Sequence, residues 1–426
     1  MSTSHKPYKI LNAFLAITKE LPDRFKRKRV WGPQSLMVWL MLITFPDRKT
    51  SYRTSLANLM KCAERTFGWI KKPSLSSITK ARTKMTSSDC RAVFHHVVQR
   101  AEQAIGGNKH RYGTGRFIAF DGTRIIVPRS HDTVVKLHRY KKPNGKKTHY
   151  PQGLMVTAVD VFRRLPLDWI FVGKGIGERT AMKALLDTLS LKTGDVAIMD
   201  RGLPSRELFG LLLERGVDVV ARMSTSRKTG WKEITEFLKT KKKSGIINIC
   251  VGKDESMREI NVRLVERKRQ RGRPRKGTKK EPMLILTTLK ESNGFTGKEI
   301  IRIYGARWGI ESLFGELKSF MDVERMHSET TAGCEQELCA SLMWMALATL
   351  LQAEAESTLN GRRVVRTDCL RAAADMIGDL LEGRSIEWKW DNYIGGLRQY
   401  SCAPRPGRHA IRECKMSYGR SIKRGG

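Results

Sequence analysis

Three carboxylates stand where chemistry could be done: Asp121 in RFIAFDGTRIIVP, Asp200 at the end of DVAIMD, and Glu311 within YGARWGIESLFGELK. Each is embedded in apolar sequence, where an unpaired carboxylate is costly to bury, so a cation should compensate. With no Cys or His partners nearby, the set matches the all-oxygen coordination of Mg²⁺ or Mn²⁺ rather than that of zinc or copper. In a two-metal site, one carboxylate bridges ions about 3.5 to 4 Å apart, and both the attacking and the leaving oxygen of a phosphodiester are stabilised. A single Asp at a strand end is more often a cap or a turn residue, so the weight lies on the ordered set of three.

Glu311 belongs to a second pattern. At about 100° per residue Tyr304, Arg307, Glu311 and Lys318 fall within a ~60° arc of one helix. Ile303, Ile310, Leu313, Phe314, Leu317 and Met321 occupy the neighbouring arc, so the helix can bury one side and present the polar stripe in a cleft. A plainer reading is an i,i+4 pair, Arg307 with Glu311, on a solvated helix face.

These residues need elements to hold them. At 426 residues the chain is long enough for several structural units and at least one sizeable core. Lys and Arg number 80 against 42 Asp and Glu, a formal charge of +38 with a pI near 10.2, the balance of a polyanion binder. A membrane is not the expected partner: the apolar runs from Leu36 and Ser341 are too short to span a bilayer and read as buried helices. The first ten residues, MSTSHKPYKI, lack an apolar targeting stretch. Eight cysteines are scattered without a CxxC pair, which points to reduced thiols rather than a zinc site or a disulfide framework.

Residues 1–112 carry apolar positions at helical spacing and are expected to form a helical, DNA-binding N-terminal domain. Within it, PSLSSITKARTKM places Lys80 and Arg82 on a short helix suited to a helix-turn-helix element, or simply to a solvated basic face. From 113 to 223 the pattern becomes a strand around Asp121, two strands about Arg163 and Arg164, then alternating helices and strands: a mixed α/β core. Residues 224–293 read as a β-rich insertion with a basic loop, RKRQRGRPRKGTKK, nine cations in fourteen residues. The core resumes over 294–330. Residues 331–426 are expected to be helical, with a basic tail.

The spacing Y-x2-R-x3-E-x6-K over Tyr304, Arg307, Glu311 and Lys318 resembles the signature of insertion sequence 4 family transposases, bacterial cut-and-paste enzymes with a DDE triad. The segments FDGTRIIVP and IMDRG follow in the matching order. The resemblance implies an α/β, ribonuclease H-like catalytic core interrupted by the β-rich insertion, with helical N-terminal and C-terminal regions. It makes Asp121, Asp200 and Glu311 both catalytic and metal-holding, with Mg²⁺ or Mn²⁺ as cofactor. It also assigns phosphate contacts near the cleaved end to Tyr304, Arg307, Lys318 and, by the same analogy, Arg222. Lys318 lies about 10 Å along the helix axis from Glu311.

Family members also flip a base at the transposon end so that the strand can close into a hairpin. The position where some relatives carry a stacking Trp corresponds to Met283, an apolar wedge instead. RGRP, with Arg271 and Arg273, resembles an AT-hook core in the minor groove, or serves general phosphate binding. The resemblance implies double-stranded DNA, both transposon ends and target, as partner. It further implies a homodimer on paired ends and a cytoplasmic, nucleoid-associated location. Two alternatives stay open: a catalytically silent DNA-binding regulator, and a structure-selective nuclease of the same fold.

Overall fold

A computed structural model describes residues 30–45, 51–69, 71–106, 115–140, 145–226, 230–267 and 283–403. The basic loop with Arg271 and Arg273 and the tail from 404 lie outside the described residues.

One eight-stranded sheet organises the chain. Its strands are β1 Phe117–Ile126, β2 Gln152–Asp160, β3 Leu165–Val172, β4 Val196–Met199, β5 Asp218–Arg222, β6 Ser244–Val251, β7 Arg258–Arg267 and β8 Met283–Thr287, in the order β3-β2-β1-β4-β5-β8-β7-β6. β1, β4 and β5 run parallel, while β2 and β3 on one side and β8, β7 and β6 on the other pair antiparallel. All four residues of β4 and the first four of β1 are buried, the pattern of parallel strands covered on both faces. The three strand-like pieces of 224–293 are thus continuous with this sheet through β8 on β5, and they are accompanied by a helix, Lys232–Lys239.

Helices α1 Pro33–Thr44, α2 Tyr52–Phe67, α3 Leu75–Arg82 and α4 Ser87–Ile105 precede the sheet. α1 and α4 pack on α11 Thr331–Glu356, and α2 and α3 pack on α1; α11 is buried almost all round, as a central helix requires. By length and composition α11 could cross a membrane, but here it is a core helix. The remaining helices are α5 His131–Lys136, α6 Glu178–Leu186, α7 Arg206–Glu214, α8 (the helix at Lys232), α9 Gly297–Ala306, α10 Trp308–Ser319, α12 Arg366–Leu381 and α13 Ile386–Gln399.

Two buried ionic knots fix the parts that matter below. At the start of β4, the fully buried Asp195 accepts hydrogen bonds from the Arg116 backbone N–H (2.8 Å), from its guanidinium (Nη2, 2.6 Å) and from the Lys192 N–H (2.9 Å). Gly115 is required there, because a Cβ would stand 2.6 Å from the Asp195 Oδ1. This clamp holds the first residues of β1 and β4 level. In the second knot Glu316 of α10 takes Arg164 of the β2–β3 turn and Arg366 of α12, each at 2.8 Å, which docks α10 on the sheet.

Candidate active site

Register, not sequence proximity, brings the first two carboxylates together. Phe120 is paired with Met199 on the parallel strands β1 and β4, and Met199 with Ala221 on β5. The next residues along each strand are Asp121, Asp200 and Arg222. Neighbouring strands lie about 4.8 Å apart and residues level with one another project to the same face. The three therefore form a row just past the last parallel pairs, on the carboxyl side of the parallel strands, the usual position of a site in such sheets. Asp121 lies within β1, which continues to Ile126, rather than at a strand end; what ends there is its pairing with β4.

Glu311 comes from the helices. The expected single helix is broken at Arg307, which closes α9 and opens α10. Arg307 keeps helical dihedrals there, and Tyr304, Arg307 and Glu311 still meet at the site. Tyr304, on α9, is 3 % exposed and points inward, where its hydroxyl donates to Asp200 Oδ1 at 2.8 Å. Arg307 is buried too, donating from Nη2 to Glu311 Oε1 (2.6 Å) and from Nη1 to Asp121 Oδ2 (3.4 Å). One guanidinium thus joins two carboxylates that are 190 residues apart in the chain. Lys318 donates to the Arg124 carbonyl (2.6 Å) and approaches Glu324 (3.6 Å), tying the far end of α10 to β1. Arg222 Nη1 is 3.6 Å from Asp200 Oδ1.

The electrostatics differ among the acids. Burial pushes Asp121 up to about 6, against the Gly122 N–H and Arg307, with Glu178 and Asp200 adding to the rise. For Asp200 burial acts in the same direction, but the Arg201 N–H, the Tyr304 hydroxyl, Arg307 and Arg222 outweigh it and hold the group below its ordinary value. Burial, with Asp200 beside it, lifts the Tyr304 phenol to about 12.

Asp121, Asp200 and Glu311 could hold a divalent ion: all their donors are oxygen, and a cation, the Arg307 guanidinium, already stands between two of them. Among the described residues no three His, Cys, Asp or Glu side chains stand in a ready-made metal cage.

Other expected contacts fall elsewhere. Lys80 is exposed on α3, but Arg82 must be reassigned. It is 6 % exposed and donates to Glu337 (3.0 Å), Gln336 (3.0 Å), the Gly333 carbonyl (2.7 Å) and the Tyr52 hydroxyl (2.6 Å), so it locks α3 to α11 instead of facing DNA. Met283 opens β8, half-buried and paired with Arg267. Two residues unmarked in the sequence also stand here. Glu178, the first residue of α6, lies against Gly122, where a Cβ would come within 2.9 Å of its Oε1. An acid at a helix start is ordinary, so nothing distinguished it. Trp308 is 61 % exposed beside Arg307, whose guanidinium lies 5.9 Å from its ring. A cavity of about 380 Å³ lined by Arg179, Arg201, Met223, Ser224 and Trp231 adjoins the row at Asp200 and Arg222, whose next residues, Arg201 and Met223, line it.

The family profile described as "Transposase DDE domain" matches residues 112–347, more than half of the chain. No curated protein matches. Among solved structures, a cryo-EM structure of the piggyBac transposase synaptic complex with hairpin DNA is similar in fold at 11 % identity, covering 99 % of this chain and 89 % of that one, with a TM-score of 0.46.

Proposed function

The chain belongs to the DDE transposase domain family, and from that premise we propose that it is a DNA transposase of the insertion sequence 4 type, binding terminal inverted repeats, cleaving them and joining the ends to target DNA. The observation that carries the reading is the convergence of Asp121 and Asp200, level on adjacent parallel strands, with Glu311 tied to Asp121 through Arg307. The strand order β3-β2-β1-β4-β5, with only β2 antiparallel to the central β1, supports a ribonuclease H-like core.

In this reading Asp121, Asp200 and Glu311 hold Mg²⁺ or Mn²⁺. When bound, such ions lower the cost of charge on the attacking and leaving oxygens of a phosphodiester. The chain's own groups do the positioning. Tyr304 fixes the Asp200 carboxylate, and the Asp195–Arg116 clamp keeps Asp121 level with it. Arg222 and Lys318 border the row and place positive charge where the backbone of a bound strand would pass. The exposed Lys80 contributes to holding DNA at a distance from the cut. A nucleotide drawn out of the duplex, as hairpin formation requires, would be received by the cavity beside Arg201 and Trp231, with Met283 as an apolar wedge. Two ends must be held at once, so a homodimer on paired ends is part of the proposal, as is a nucleoid-associated, cytoplasmic location.

The test is incubation of the full chain with Mg²⁺ and linear DNA carrying the sequences that flank its coding region. Strand-transfer products are expected. Nicks without joining would instead identify a structure-selective nuclease, and mobility shifts without cutting a silent regulator.

A further inference from the structure

Arg307 is the signature cation to which the family resemblance assigns a DNA phosphate, yet here it is 6 % exposed and turned into the triad. Its Nη2 holds Glu311 Oε1 at 2.6 Å and its Nη1 holds Asp121 Oδ2 at 3.4 Å, while its Nε is buried without a partner. The guanidinium also lies 5.8 Å from the Tyr304 ring and 5.9 Å from that of Trp308. A guanidinium is a planar fork best satisfied by two parallel contacts to one carboxylate or phosphate. Here it is split between two acids, one contact is long, and Nε meets no acceptor. The strained element of the site is therefore the hydrogen bonding of this cation rather than its charge.

A divalent ion seated between Asp121 and Glu311 competes with Arg307 for the oxygens it now holds, and two cations at contact distance there repel one another. We propose that Arg307 is a positioning residue that stands in for the metal between Asp121 and Glu311 in the DNA-free protein, and yields those oxygens when a DNA phosphate takes its guanidinium. This rests on reading the triad as metal-holding. In the resting state the guanidinium keeps the two acids ordered and neutralised. A phosphate offers the paired contacts that the split arrangement lacks, so DNA draws the fork off and the site opens to the ion. Binding of ion and binding of DNA then favour each other, and by linkage the factor is the same in both directions.

The experiment uses the full chain, with free Mn²⁺ measured by electron paramagnetic resonance during titration. Arg307→Met without DNA is expected to bind Mn²⁺ more tightly than the wild type by on the order of tenfold, within the usual coupling range of roughly 5- to 150-fold. In a second arm that needs no variant, the wild type should bind a blunt duplex made from the flanking DNA about tenfold more tightly with Ca²⁺ than without it. That gain should vanish in Arg307→Met. Thermal melting confirms that the variants are folded. Unchanged or weaker Mn²⁺ binding by Arg307→Met, with binding abolished by Asp121→Asn, would overturn the stand-in role and leave the metal-holding triad intact. An absence of any effect of Ca²⁺ on wild-type DNA affinity would overturn it as well. Wild-type Mn²⁺ affinity in Asp121→Asn and Glu311→Gln would remove the triad reading itself, and the stand-in role with it.

Discussion

Replacing Asp195 with Ala removes the clamp that sets β1 level with β4. Arg116, 5 % exposed, would keep only Glu102 (3.0 Å) and the Ser190 carbonyl (2.5 Å) as partners. Removing one member of a buried ion pair costs about 3 to 5 kcal/mol, because the other charge stays buried. The Arg116 N–H loses its acceptor as well, a further penalty of roughly 1 to 3 kcal/mol. Glu102 still neutralises part of the guanidinium, and Lys192, whose N–H also bonded Asp195, is exposed to water. A net loss of about 4 kcal/mol follows from these opposing corrections. At about 2.1 cal/mol/K of unfolding entropy per residue, a chain of this length should melt roughly 4 to 5 °C lower. Differential scanning calorimetry measures this, and the pair Arg116→Met with Asp195→Leu should recover part of the loss, since neither charge of the buried pair is left alone and Glu102 keeps Arg163 at 3.9 Å. DNA cleavage by Asp195→Ala, assayed well below its melting point, should fall while DNA affinity holds. A melting point within a degree of the wild type would refute the energetic reasoning. Unchanged cleavage would refute the link from strand register to the site.

Tyr304→Phe removes a bond to a charged group that would be worth about 1.5 to 3 kcal/mol if buried. Asp200 is 36 % exposed at its side chain, so water replaces part of it and the stability loss should be near 1 kcal/mol. The larger effect should be on cleavage rate, with DNA affinity little changed; reduced affinity at an unchanged rate would return Tyr304 to the DNA surface. Arg82→Met should destabilise the chain strongly and leave the salt dependence of DNA binding alone, whereas Lys80→Ala should reduce the salt slope by about one phosphate contact. The reverse pattern would place Arg82 on DNA after all. Asp132, at the start of α5, is a pH probe. Burial alone would raise it, but Lys136 at 2.6 Å and two bonds from Thr331 hold it down to about 2. A depressed carboxylate stabilises the fold above its unfolded value near 3.8, and that contribution is lost as pH falls through about 2. The melting difference between wild type and Asp132→Asn should therefore be constant at neutral pH and shrink between pH 4 and 2; a constant difference throughout would contradict the assignment.

The strands bearing Asp121 and Asp200 were legible because each is a short β-branched or apolar run closed by a turn residue, and local pattern decides such elements. Their juxtaposition was not, since parallel register is set by residues far apart, here Arg116 and Asp195. The same limit hid the joining of the 224–293 strands to the main sheet, which depends on β8 reaching β5. Tyr304 and Arg82 show a different failure. Each has a polar end on an amphipathic helix, and spacing gives the face but not what packs on it. For Arg82 the neighbour is Glu337, more than 250 residues away. For Tyr304 the wheel gives the cleft-facing stripe, but not that its hydroxyl meets Asp200, 104 residues away, inside that cleft.

The most direct measurement is cleavage of end-containing DNA in Mg²⁺ by Asp121→Asn, Asp200→Asn and Glu311→Gln beside the wild type, with folding checked by melting and DNA affinity by anisotropy. Each variant is expected to fold and to bind DNA, yet to cut at least about a hundredfold more slowly, since each removes a charged donor from the reacting centre. Cutting at near the wild-type rate by any one of the three would contradict a shared catalytic centre built from these carboxylates.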